Sequence, residues 1–264
     1  MPELSLQTVV FHEPKPGAPD SEWEDGAGYR AADPGLGRPD RLVVLDGATT
    51  AYDAVHWVAQ LVGSFVGPDG PAALTRDDLD GWFGRMQERW AAQPREFHNI
   101  YAEHKLQAEG SFATFLGCDV HLLDREGPHW RGAALGDAVL FHIQGGQLVA
   151  QLPTITADGF GYNPDGVFTR PSERDRMRSR LAFEGHRLQV GDVLYLVTDA
   201  LAHWLLCAAA TGTDCWQEVA EIQHPRAFRR WVAEQRDNGM KHDDVTMLRA
   251  EVAAGDVEVL VLCR

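Results

Sequence analysis

Short runs of β-branched and other apolar residues recur along the chain, some alternating with polar positions and some continuous. Such runs predict strands. They fall at Leu6–Phe11, Arg41–Leu45, Ala113–Asp124, His129–Leu135, Ala138–Gln144, Asp192–Thr198, Asp244–Val252 and Val257–Leu262. Apolar residues at helical spacing predict helices over Ala51–Val66, Leu79–Gln93, Ala200–Ala210 and Pro225–Gly239. Tight polar turns at Arg125–Gly127 and Gln144–Gly146 separate neighbouring strands, and hairpins of this kind dictate antiparallel pairing. The pattern lapses between Pro153 and Glu184. That stretch carries Gly159, Gly161, Pro164, Gly166 and Pro171, then the charged run Ser172–Arg180. We expect a surface flap or insertion over 153–184. No repeat and no linker interrupts the chain, so a single domain over 1–264 is expected.

Composition changes this picture little. The chain has 264 residues, 44% hydrophobic and 24% charged, which excludes disordered, collagen-like and low-complexity classes. The formal net charge of −15 repels nucleic-acid phosphates and anionic lipid, so no nucleic acid and no membrane surface is expected as partner. No run of about 18 apolar residues occurs to span a bilayer. The N-terminal stretch has no basic region ahead of an apolar one, as a secretory signal would. The four cysteines include no CxxC pair, which fits reduced thiols and a cytoplasmic setting.

Candidate chemistry lies in aspartates at strand ends. Asp46 follows the run Arg41–Leu45 and precedes Gly47; Asp199 follows Asp192–Thr198; Asp243 stands just before another strand. Asp25 follows Glu24 upstream of the first of these, and Asp137 lies in a short step between two strands. Taken singly, each is what a turn or a helix cap uses. At the end of a buried strand a carboxylate loses hydration and meets its neighbours at short range, so a cluster needs a compensating cation. Oxygen-only donors suit hard ions, with Mg²⁺ or Mn²⁺ favoured where room is left for water.

The ordered series Glu24–Asp25, Asp46–Thr49, Gly110–Gly117, Gly136–Phe141, Gly191–Leu201 and Asp243–Leu248 resembles the motif series of PP2C-type metal-dependent Ser/Thr protein phosphatases, including bacterial members. The resemblance implies an α+β fold, a four-layer α-β-β-α sandwich of two antiparallel sheets flanked by helices. It implies a binuclear centre of Mn²⁺ or Mg²⁺ at one end. Asp46 matches the aspartate bridging both ions, with Gly47 offering its carbonyl. Asp199 and Asp243 match ligands of one ion, and Asp25 an acidic residue serving the other partly through water. Glu24 sits just outside, Asp137 matches a contributor to a third, weaker ion, and Asp244 is expected in a supporting position. The implied activity is hydrolysis of phosphoserine or phosphothreonine on a phosphorylated protein by a water activated between two ions. No side-chain nucleophile motif such as GxSxG is present.

The chain also departs from that pattern. Many members carry an Arg that binds the substrate phosphate where this chain has Asp20, and the usual Asn is Trp23. Ala48 stands where eukaryotic members often have a His. His203 replaces an acidic residue that helps hold the third ion, and imidazole suits Mn²⁺ better than Mg²⁺. The substrate-phosphate contact is therefore unassigned; the arginines of Arg170–Arg180 are one source for it and a solvated face the other reading. These departures keep a rival in view, a catalytically weak domain that binds a phosphoprotein or regulatory partner. The pair His242–Asp243 gives little support to an HD-type phosphohydrolase, because a strand follows it. His142, inside a strand, reads as a packed histidine rather than a ligand.

Overall fold

The fold is described from a computed structural model covering residues 4–48, 51, 53–93, 110–161, 164–255 and 260–262. Thr49 of the Asp46–Thr49 motif, and residues 257–259 of the last expected strand, lie outside the described residues.

Two antiparallel sheets pack face to face. The first orders β13 (Leu260–Leu262), β1 (Leu4–Glu13), β12 (Val245–Ala254), β11 (Val193–Val197), β7 (Val139–Gln144) and β8 (Gln147–Leu152). Only the β13–β1 pair in it is parallel. The second orders β10 (Ala182–Arg187), β6 (His129–Leu135), β5 (Phe115–His121), β3 (Asp40–Leu45) and β2 (Gly26–Arg30). Leu42, Val44, Leu116 and Trp130 from one sheet meet Leu140, Leu194 and Leu248 from the other in the central core. On the outer face of the second sheet lie α1 (Ala54–Val66) and α2 (Arg76–Ala91), packed over Val43, Leu45 and Phe115. Outside the first sheet lie α4 (Asp199–Ala210), α5 (Cys215–Ala220) and α6 (Pro225–Asp237), packed over Phe141, Tyr195 and Met247. The expected four-layer α+β sandwich is therefore the observed one.

Several strand ends differ from the sequence pattern, each for a stated reason. Ala113–Asp124 is not one strand. It breaks at Thr114, whose side chain and backbone clamp Asp46, leaving β4 (Phe112–Ala113) ahead of β5. The flap region is more ordered than its composition suggests. Its β9 (Val167–Phe168) pairs with β4, α3 (Arg174–Arg180) packs against α2, and Glu184 belongs to β10. The flap arginines hold this arrangement. Arg174 forks onto Asp80 of α2, Arg178 reaches Asp77, and Arg176 reaches Asp165.

β2 escaped the hydrophobic pattern because its glycines pack under α1. A Cβ on Gly26 would meet Val58 Cγ1 at 2.4 Å, and one on Gly28 would meet Val62 Cγ1 at 2.8 Å. That close approach sets β2 beside β3, so the residue before Gly26 is delivered next to the residue after Leu45.

Candidate functional site

Asp46 leaves the end of β3 with its backbone gripped from both sides. Its N–H donates to Thr114 Oγ1 at 3.1 Å, and its carbonyl accepts Thr114 N–H at 2.8 Å. Gly47 next to it bridges to Ala113. A Cβ at Gly47 would stand 2.4 Å from the Glu24 carbonyl oxygen, so only glycine lets the two segments touch. Asp25 is thereby held beside Asp46, in line with the sequence order.

The other expected residues come from three further places at the same end of the sandwich. Asp137 sits in the β6–β7 turn, Asp199 is the first residue of α4, and Asp243 lies just before β12. The Asp46 carboxyl is pushed well above the ordinary carboxylate range. Loss of hydration is the first cause, followed by the fields of Asp25, Asp199, Asp137 and Asp243. Asp25, 4% exposed, is pushed up by burial and then by Asp244. Burial and then Asp199 push Asp137 up to about 7, and the same causes raise Asp243. Asp46 thus stands in the fields of the other four carboxylates, and Asp199 in reach of each of them, an arrangement that is costly without a cation.

They do not close to chelating distance as they stand. Among the described residues, His121, Asp124 and His129 form the three-residue set whose candidate ligand atoms all lie within 4.8 Å of one another. The carboxylates round Asp46 are spread wider, and three of them bond to other partners. Asp25 Oδ2 accepts the Thr246 hydroxyl at 2.8 Å, while Trp23 Nε1 donates to that same oxygen of Thr246 at 3.1 Å. Asp243 Oδ1 accepts the Asp244 N–H at 2.9 Å. Asp199 Oδ2 accepts Lys241 Nζ at 2.8 Å.

Asp244 is the brace for this end. Its Oδ1 accepts Lys15 N–H at 2.7 Å and its Oδ2 accepts Glu24 N–H at 2.8 Å. It thereby fixes the loop that carries Asp25, and Glu24 in turn accepts Lys15 Nζ at 2.6 Å. His203 is turned to other partners: Cys207 Sγ lies 3.6 Å from its Nε2, and the Phe160 ring stands edge-on at 5.5 Å. Asp20 pairs with Arg229 at 3.4 Å, which also reaches Glu13.

Sequence reasoning missed the cations. The chain contains three lysines, and two of them, Lys15 and Lys241, stand at this carboxylate group. Burial opposes the charge on Lys241. Its bond to Asp199 and the fields of Asp199, Asp137 and Asp243 outweigh that cost and raise its pKa. Lys15 follows the same rule, with burial outweighed by Glu24, Asp244 and Asp243. Arg236 donates to the Asp243 carbonyl at 2.6 Å and to that of Pro14 at 3.0 Å. The rarity of lysine in an arginine-rich chain was the one available signal. A compact ammonium fits among carboxylates where a planar guanidinium does not.

No protein-family model matches the chain, and no curated protein matches it in sequence. Solved structures do match in fold. The catalytic domain of the serine/threonine protein phosphatase PstP in complex with two manganese ions superposes with a TM-score of 0.61 at 16% identity, over 95% of this chain and 100% of that one. The Mycobacterium tuberculosis serine/threonine phosphatase PstP/Ppp gives 0.59 at 15% identity, over 94% and 99%. The photosystem II phosphatase PBCP gives 0.60 at 13% identity, over 95% and 100%. The resemblance drawn from the motif series therefore holds in three dimensions: the fold is that of PP2C-type serine/threonine phosphatases.

Proposed function

We propose that this chain is a divalent-cation-dependent phosphomonoesterase acting on phosphoserine or phosphothreonine of a protein substrate. One observation carries the reading. Asp46 stands in the combined fields of Asp25, Asp137, Asp199 and Asp243, brought from four separate strand or helix ends.

The donor set fits Mn²⁺ or Mg²⁺. Asp137 Oδ1 is buried with no hydrogen-bond partner, an arrangement that costs about 1–3 kcal/mol unless something takes the lone pairs. The surrounding donors are oxygens, as a hard cation requires. Asp46, Asp199 and Asp243 would hold one cation. Asp46, the Gly47 carbonyl and Asp25 would hold a second, and Asp137 would serve a third, weaker one. When bound, such cations neutralise phosphoryl oxygens and acidify a water near neutral pH.

The chain's own residues then do the positioning. Thr246 orients Asp25, Asp244 fixes the loop bearing it, and Thr114 clamps Asp46. Lys15 and Lys241 offset part of the negative charge that Glu24, Asp199 and Asp243 place at this end. The flap arginines Arg174, Arg176 and Arg178 are committed to acidic partners, which favours their structural reading over a substrate-binding one.

The test is hydrolysis of p-nitrophenyl phosphate and of a phosphothreonine peptide with Mn²⁺, with Mg²⁺ and after EDTA. Mn²⁺-dependent turnover that Asp46→Asn abolishes, in a variant with unchanged circular dichroism, is the expected result. Wild-type rates from that variant would sink the proposal. A second reading has its own observation, the Lys241 ammonium on Asp199. If cation binding is demonstrable but no rate exceeds background, the chain is a phosphoprotein-binding or regulatory module built on this fold.

A further inference from the structure

A second group of metal-ligating side chains lies at the opposite end of the molecule and plays no part in the reading above. β5 starts next to Thr114, which bonds Asp46, and ends at His121. At about 3.3 Å per residue its length puts His121 about 20 Å from the carboxylate group.

There His121 faces His129 directly across the β5–β6 hairpin. The rings stack with centroids 4.7 Å apart and planes 7° from parallel. Asp124, in the connecting turn, brings its carboxylate to the same spot, and the candidate ligand atoms of all three lie within 4.8 Å of one another. The turn is fixed by its own backbone: Gly127 N–H donates to the Asp124 carbonyl at 3.0 Å, and Glu126 N–H donates to Asp124 Oδ1 at 3.0 Å.

His129 is prepared for ligation by a further contact. Its Nδ1 lies 2.9 Å from the Gly127 carbonyl oxygen, which can only accept, so Nδ1 carries the proton. Nε2 is then the free lone pair. A ligating histidine ordinarily has its other nitrogen tied in this manner. His121 favours the neutral form that ligation needs, because burial lowers its pKa first and His129 second. Among the charged groups near it, Arg131 also lowers that pKa, while Asp119 and Asp124 raise it. Asp119 is taken up by a buried two-pronged bond to Arg41, which leaves Asp124 as the carboxylate for the group.

We propose that His121, Asp124 and His129 form a site for Zn²⁺, or a cation of similar softness, that fastens the β5–β6 hairpin. Two imidazoles and one carboxylate select such ions over Mg²⁺ and Ca²⁺, and three protein ligands leave a coordination position for water. Binding requires the stacked rings to tilt until their nitrogens converge, with the exposed Asp124 side chain closing from the turn.

Calorimetric titration of the full chain with Zn²⁺, in excess Mg²⁺ to saturate oxygen-only sites, tests this directly. One equivalent of Zn²⁺ is expected, together with a rise in melting temperature. Asp46→Asn should leave both unchanged, while His121→Ala should weaken binding at least about tenfold, the loss usual even for outer partners of a metal site. Asp124→Ala, at an exposed turn position, gives the same reading should the histidine variant fold poorly. Absence of Zn²⁺ binding overturns the proposal. So does binding that survives both His121→Ala and Asp124→Ala, or that disappears with Asp46→Asn.

Discussion

Lys241 Nζ lies 2.8 Å from Asp199 Oδ2, inside the field of the carboxylates that the fold would give to a metal ion. A lysine there acts as a tethered cation. It offsets repulsion among Asp199, Asp137 and Asp243, and it would compete with the metal proposed above for Asp199. Lys241→Ala should therefore bind Mn²⁺ about tenfold more tightly, the equivalent of about 1.4 kcal/mol. The lysine is 39% exposed, so solvent screening keeps the effect from being larger. Titration calorimetry with Mn²⁺ checks it. Unchanged or weaker binding would show that Lys241 does not compete.

Gly47 is expected to be intolerant of any side chain. Alanine there puts a Cβ 2.4 Å from the Glu24 carbonyl oxygen and 3.1 Å from Val58 Cγ2, and the Glu24 and Gly47 backbones are both held in place. Overpacking of this kind costs about 1–3 kcal/mol. It also separates Asp25 from Asp46. Gly47→Ala should lower stability in urea denaturation and, beyond that, weaken Mn²⁺ binding in the fraction that remains folded.

Asp244→Ala leaves the Lys15 and Glu24 amides without their acceptor. Asp244 is 4% exposed, so water does not readily replace it, and a loss of about 2 kcal/mol follows. Asp244→Asn keeps one acceptor oxygen and should retain more than half of that. Hydrolysis should fall with the same ranking, because Asp25 rides on the loop that Asp244 fixes. An alanine variant as stable and active as the parent would remove Asp244 from this role.

The two sheets were legible because their inner strands are continuous apolar runs. All six residues of β3 are buried, as are four of the five of β11 and the first four of β12. Apart from the two-residue β9 of the flap, the strands that escaped are of two kinds. β8 and β10 are sheet edges with mostly exposed or half-exposed residues, so no hydrophobic period marks them. β2 is glycine-rich because α1 lies against it. At the site, strand-end aspartates could be read because each follows or precedes such a run. Lys15, Lys241 and Arg236 could not. Arg236 and Lys241 reach their partners across the fold, Arg236 touching Pro14 and Lys241 touching Asp199, and no local pattern encodes those distances.

His142 was expected to be a packed histidine, and its surroundings make a pH prediction. It is fully buried on β7. Trp130 Nε1 donates to its Nδ1 at 3.2 Å, so the proton sits on Nε2, which donates to Asp192 Oδ2 at 2.9 Å. A second proton would have to go on Nδ1, against the indole N–H. The pKa is lowered from the ordinary 6.5, by burial first, with Asp192 opposing and His186 assisting. Below 6.5 the unfolded chain takes up a proton that the folded chain refuses. The stability this histidine contributes is thus intact above that pH and is lost as pH falls toward the folded value. His142→Gln can still accept from Trp130 and donate to Asp192, yet it does not titrate. Thermal melts from about pH 7.5 to about pH 5.5 should therefore fall more steeply in the parent than in that variant. His142→Ala, which strands the indole N–H and opens a cavity, should cost on the order of 3 kcal/mol at either end of the range. Equal slopes for parent and His142→Gln would mean that the imidazole is not held in its neutral form.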